Sequence, residues 1–222
     1  MCFSASASFG MSVLLLGAGV AAVKKAQNPS QIPFAVIPVV FSIQQFIEGA
    51  LWLSLTNPAY SGWHQNATYI FLVFAQVVWP FWVPLSMLLL ENDNKRKKIM
   101  ILLSGLGCAV SLYLAFCLSN YAVNSGISDH HIRYDLDFPH YMTEFSGVFY
   151  FIPTVIPLFI SSIKKMSFLG AIILASFMVT KLFFGEYVIS IWCFFAAAAS
   201  VIVLIIMTSF QTSPGKLNKV IL

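Results

Sequence analysis

Seven apolar blocks separated by short polar runs dominate the chain, covering about 4–23, 32–55, 67–90, 99–119, 144–162, 167–184 and 187–210. Each approaches the roughly 20 helical residues, at about 1.5 Å apiece, that cross a hydrocarbon core about 30 Å thick. The pattern predicts an all-α polytopic membrane protein: one domain over 1–222, built as a bundle of seven transmembrane helices. The one long connection, 120–143, lies between helices 4 and 5 and carries Asp129, His130, His131, Arg133, Asp135, Asp137 and His140. It is expected to fold over the bundle mouth. Paired prolines, Pro80 with Pro84 and Pro153 with Pro157, admit two readings. One is a repeat-built transporter with broken helices; the other is simple kinks whose freed carbonyls are satisfied by neighbours.

Composition agrees with the blocks. Charged residues make up 9% of the chain and hydrophobic ones 59%, against roughly 25% charged in a soluble domain. The formal charge of +4 does not mark a nucleic-acid binder, because the basic residues fall in short clusters between blocks. Ten of the twelve lysines and arginines, namely Lys24, Lys25, Lys95, Arg96, Lys97, Lys98, Lys164, Lys165, Lys216 and Lys219, share one side, leaving Arg133 opposite and Lys181 within helix 6. Cytoplasmic loops retain positive charge, so the N-terminus is expected outside and the C-terminus in the cytoplasm. The expected location is the plasma (inner) membrane, with membrane lipids as partners. No basic residue precedes the first block, which is expected to be retained rather than cleaved. Four cysteines, Cys2, Cys108, Cys117 and Cys193, show no paired spacing and imply no disulfide framework.

Candidate chemistry lies where polar groups enter the blocks, since an ionisable side chain at mid-membrane costs roughly 2.5 to 3.5 kcal/mol. Gln44, Gln45 and Glu48 stand three and four residues apart, on one helical face that is expected to point inward, about 10 Å below the outer end of helix 2. Lys181 either snorkels to the interface or pairs with Glu48 or Glu186. Gln76, Glu144, Tyr150, Glu186 and Tyr187 fall at similar outer depth. The inner half offers little beyond Ser104, Cys108 and scattered hydroxyls. A path for ions needs polar lining through both halves, so a simple channel is disfavoured, and an enzyme or sensor with an external small-molecule or lipid ligand suits the asymmetry. A retinal-type pigment would want its lysine in the last helix, whereas Lys181 is in the sixth.

The opening Met1-Cys2-Phe3-Ser4-Ala5, the run Gln44-Gln45-x-x-Glu48-Gly49 with Trp52, and His131-Ile132-x-Tyr134 resemble a family of uncharacterised bacterial membrane proteins. The resemblance implies positions and no mechanism. Under the expected topology Cys2, Glu48 and His131 meet at the outer mouth, and thiolate, carboxylate and imidazole are zinc ligands. A zinc-bound water there would hydrolyse an ester or amide at the membrane surface. In that hydrolase Glu48, Lys181 and Glu186 are the catalytic candidates, and Gln44, Gln45, Trp52, Gln76, Glu144 and Tyr187 bind the ligand. The competing expectation is a sensor or small-solute transporter working through a Glu48–Lys181 pair. Cys2 has two further readings, a disulfide with Cys117 and a thiol without chemistry.

Overall fold

The computed structural model describes residues 4–211, and for 140–146 the backbone alone. Helix α1 spans Ala5–Lys24 and begins on Ser4, whose hydroxyl accepts from the amide of Ala7 and so satisfies one of the donors that a helix start leaves open. A 3-10 turn and the four-residue α2, Ile32–Ala35, lead into α3, Ile37–Thr56. After a second 3-10 turn, α4 (His64–Leu72), a π-helical segment (Val73–Val78) and α5 (Trp79–Leu90) form one continuous rod. Then come α6, Asn94–Asn120, the strands β1, Val123–Ser128, and β2, His131–Leu136, and α7, His140–Ile160. Helices α8, Lys164–Phe183, α9, Val188–Ala199, and α10, Val201–Gln211, complete the described chain.

Among the described residues six continuous helical stretches are long and apolar enough to cross a membrane: Ala5–Lys24, Pro29–Thr56, Pro58–Leu90, Asn94–Asn120, Lys164–Phe183 and Gly185–Gln211. The part Gly147–Ile160 of α7 is apolar but shorter. The outward faces agree, with Leu102 73%, Leu112 67%, Leu182 73% and Phe183 75% exposed. A water-soluble monomer does not spread that much apolar surface over its helices, and the chain is a multi-pass membrane protein.

Small residues let the helices approach. Gly19 of α1 lies against α3 so closely that a Cβ there would stand 2.8 Å from the backbone nitrogen of Val39. One side of the same seam is fastened by Ser42, which donates to the carbonyl of Ser12 at 2.8 Å, as membrane interfaces built on close backbone contact often are. Pro84 inside α5 offers no N–H to the carbonyl of Pro80. That freed carbonyl faces Gly107 of α6, where a Cβ would collide with it. Within the π-helical segment, Tyr150 of α7 donates to the carbonyl of Ala75 at 2.6 Å and Ser111 of α6 to that of Val77 at 2.7 Å. Neighbouring helices thus meet the backbone groups that the irregular turn leaves open.

The 120–143 connection, expected only as a loop over the bundle mouth, contains an antiparallel hairpin pairing Ser125 with Tyr134 and Ser128 with His131. Its two-residue turn, Asp129 and His130, has φ of 46° and 65°, the left-handed conformation that tight hairpin turns demand and that Asp and His tolerate better than most residues. Val123, Ser125, Ile132 and Tyr134 are buried on the face packed against the bundle, and Thr68, His64 and Gln65 of α4 bond Ser125 and Val123 from below. Beneath the hairpin lies one core cluster, with Leu51, Trp52, Phe71, Leu72 and Cys193; a second, larger one occupies the rest of the bundle around Phe34, Trp79, Met87, Leu158 and Val203.

Candidate functional site

Residues 44, 45, 48 and 52 of α3 fall within an arc of about 100° at 3.6 residues per turn, and all four side chains are buried. The face points into the bundle under the hairpin. Gln44 Oε1 accepts from the indole Nε1 of Trp79 at 2.8 Å, and Trp79 is itself stacked on Phe41 at 3.8 Å between centroids. Glu48 is 1% exposed. Its Oε2 accepts from Gln45 Nε2 at 3.0 Å and its Oε1 from the hydroxyl of Ser190 on α9 at 2.5 Å. Cys193, one turn further along α9, stands beside it.

Among the described residues three buried polar atoms on this face and on the strand above it, Gln45 Oε1, Trp52 Nε1 and the Tyr134 hydroxyl, have no hydrogen-bond partner, while the Gln44 amide reaches the thiol of Cys193. Buried polar groups are paired in the great majority of cases, and each orphan costs about 1–3 kcal/mol. Two of these atoms lie on the helix face and one on the strand above it. Tyr134 reaches the site because alternation along β2 turns Ile132 and Tyr134 toward the bundle. Its ring stacks on Phe71 at 5.1 Å. Burial, and then the nearby carboxylate of Glu48, push its phenol well above the ordinary value, so the hydroxyl keeps its proton and remains a donor.

The structure brings Gln44, Gln45, Glu48 and Trp52 together and disperses the other expected members. Lys181 is exposed on α8 beside the exposed Leu182 and Phe183, and among the described residues Glu48 has no ion-pair partner; the expected Glu48–Lys181 pair is not formed. Nor does Lys181 pair with Glu186, which stays in the turn before α9, its carboxylate 73% exposed and 3.8 Å from Arg133. Gln76 lines a cavity that also takes in Cys193 but none of Gln44, Gln45, Glu48 and Trp52. Tyr187 holds the hairpin tip, donating to Ser128 Oγ at 3.2 Å and Asp129 Oδ2 at 3.1 Å. His131 lies between the rings of Phe184 and Tyr187, at 5.4 and 4.9 Å. Cys2 and the side chain of Glu144 fall outside the described residues. Cys117 is a buried free thiol, and its alternative pairing with Cys2 lies outside the described residues. Among the described residues no three His, Cys, Asp or Glu side chains gather as a metal site.

Sequence reasoning missed Ser190, Cys193 and the role of Tyr134. Period-2 alternation over 131–136 was the available signal for Tyr134; nothing local distinguishes Ser190 from other helical serines. Residues 1–218 match DUF6629, a family of unknown function, and the chain belongs to that family. No curated protein and no solved structure matches it.

Proposed function

We propose that this is a seven-helix protein of the plasma (inner) membrane, N-terminus outside and C-terminus in the cytoplasm, that binds a small cationic, hydroxyl-bearing ligand at Glu48 from the outer side. Orientation rests on the lysine and arginine clusters, ten on one side, with α7 as the seventh crossing. The carrying observation is a carboxylate buried with no cation beside it among the described residues, with the unpaired Gln45 Oε1 and Tyr134 hydroxyl near it. A buried carboxylate is either paired or neutralised, and a cationic ligand is the partner that would keep this one charged. An ammonium group would donate to Glu48 and Gln45 Oε1, while a hydroxyl would accept from Trp52 Nε1 and Tyr134. Amino alcohols combine the two.

Thermal unfolding of the full chain with ethanolamine, propylamine and ethane-1,2-diol tests this. Ethanolamine is expected to stabilise saturably and more than the other two, and Glu48→Gln to abolish its effect. An absence of response to all three, or an undiminished response in Glu48→Gln, overturns the reading. Stoichiometric zinc in the purified protein, lost in Cys2→Ser, Glu48→Gln and His131→Ala, would replace it with the metal-dependent hydrolase.

A further inference from the structure

The starts of α6 and α8 carry Lys95, Arg96, Lys97, Lys98, Lys164 and Lys165, all six exposed. Far apart in sequence, they meet in space. Glu91, 71 positions from Ser162, accepts from its amide and from its hydroxyl at 2.8 Å each, and Arg96 Nη1 donates to the carbonyl of Ile160 at 2.7 Å. One end of the bundle, the end away from the hairpin, thus gathers six cations on adjoining turns. The carboxylates beside them are already spent. Glu91 is buried and also takes the amides of Asn92 and Asp93, and Asp93 Oδ1 caps α6 by accepting from the amides of Lys95 and Arg96. The ion pairs among the described residues are those of Arg133, so none of these six cations is neutralised by a described residue.

Membrane topology accounts for cations on this side. Helix stability does not, since a lysine at a helix start opposes the dipole. Holding the two clusters together adds mutual repulsion, which a shared anion relieves. The neighbouring surface indicates which anion. Lys95, Ile99 and Leu102 fall on one face of α6 at i, i+4 and i+7, and Lys164 and Phe168 on one face of α8 at i and i+4; Ile99, Leu102 and Phe168 are exposed, as is Phe159 of α7, which packs against both helices. Each cation is therefore followed, about 6–10 Å along its helix, by an apolar side chain on the outer surface. A free phosphate makes no use of that surface, whereas a phospholipid sets its phosphate at the cations and its acyl chains on the apolar side chains below. We propose that the joined starts of α6 and α8 bind the headgroup of an anionic phospholipid, with its acyl chains along Leu102, Phe159 and Phe168. The Glu48 reading is not needed for this.

Thermal unfolding of the full chain in a neutral maltoside detergent tests the proposal, with added phosphatidylglycerol, phosphatidylcholine of the same acyl chains, or inorganic phosphate. Phosphatidylglycerol is expected to stabilise saturably and to bind at least about 30-fold tighter than phosphatidylcholine, the worth of two cations at about 1 kcal/mol each; inorganic phosphate at the same concentration should give no shift. Lys164→Gln with Lys165→Gln is expected to bring phosphatidylglycerol down to the phosphatidylcholine level. Lys24→Gln with Lys25→Gln removes the same charge from the end of α1 and should leave the preference within about 3-fold of wild type, because separated surface charges are screened. Equal binding of the two lipids, or a wild-type preference in Lys164→Gln with Lys165→Gln, overturns the proposal. So does an equal loss in both double variants, which would mark diffuse attraction by a positive face. Stabilisation by inorganic phosphate matching that by phosphatidylglycerol would assign the anion to solution and overturn the lipid.

Discussion

Two carboxylates, Glu48 and Glu91, are each 1% exposed, yet their surroundings differ in kind. Glu91 follows α5 at the end of the bundle away from the hairpin. Its Oε1 accepts from the amides of Asn92 and Asp93 at 3.0 and 2.9 Å and from the Ser162 hydroxyl at 2.8 Å; its Oε2 accepts from the Ser162 amide at 2.8 Å. Three of the four donors are backbone N–H groups fixed by the fold. The carboxylate staples the α5–α6 turn to the α7–α8 turn and has no capacity left for a ligand. Glu48 has two side-chain donors and, near it, the Gln45 Oε1 and Tyr134 hydroxyl that have no partner among the described residues. Burial alone therefore does not identify a site; unmet hydrogen-bonding capacity beside the buried group does.

The comparison is broken or sharpened first by the isosteric exchange at each position. Glu91→Gln puts an NH2 group against backbone donors and weakens several charge-assisted bonds worth about 1.5–3 kcal/mol each. A loss of about 3 kcal/mol is expected, a fall in Tm of about 6–12 °C at about 2–4 °C per kcal/mol, with the ethanolamine response retained. Glu48→Gln keeps an acceptor for Ser190, and Gln45 can present its Oε1 to the new amide. Its Tm should stay within about 2–4 °C of wild type, while ethanolamine binds about 100-fold more weakly, the worth of one charged hydrogen bond. Equal stability losses in the two variants would erase the distinction.

Smaller changes grade the same contrast. Ser162→Ala removes one hydroxyl donor from Glu91 and leaves the backbone donors in place, so about 1 kcal/mol, or about 2–4 °C in Tm, is expected to go. Tyr134→Phe deletes a hydroxyl that has no partner among the described residues. Calorimetry or thermal unfolding should find the unliganded protein unchanged or up to about 1 kcal/mol more stable, with the gain reversed when ethanolamine is present. A plain loss of stability in Tyr134→Phe would mean the hydroxyl is already satisfied.

Most of the helical architecture was legible because lipid-facing helices need uninterrupted apolar length, and that demand writes itself as blocks of about 20 residues. The inward turn of Gln44, Gln45 and Glu48 followed from the cost of leaving them in hydrocarbon. What stayed hidden depends on packing between distant segments. Ser190 meets Glu48 across 142 positions, a pairing no local period encodes. Nothing local marks Glu91 as buried, because its partners beyond its own turn come from a turn some seventy residues away. Lys181 drew attention for its charge, but a long side chain near a helix end has an escape to the interface that a glutamate at 48 lacks. The π-helical turn at Val73–Val78 has no composition signal beyond the proline that follows it.

The smallest expected effect concerns the hairpin that roofs the site. His131 is partly buried against Phe184 and Tyr187. Burial, and after it the neighbouring His130, lower its pKa below 6.5, against an opposite pull from Asp129. With the folded value depressed, the unfolded chain takes up the proton more readily, so acid favours unfolding. Stability should be level above about pH 6.5, decline as the pH falls through that value, and level again once it passes the folded pKa. His131→Asn should flatten this shallow step in Tm measured from about pH 8 to about pH 5, without altering ethanolamine binding at neutral pH, because strand alternation turns Tyr134 and not His131 toward Glu48. A Tm that rises on acidification, or a step that survives in His131→Asn, would show that the hairpin is held by other titrating groups, and the separation between a structural roof and a binding floor would have to be redrawn.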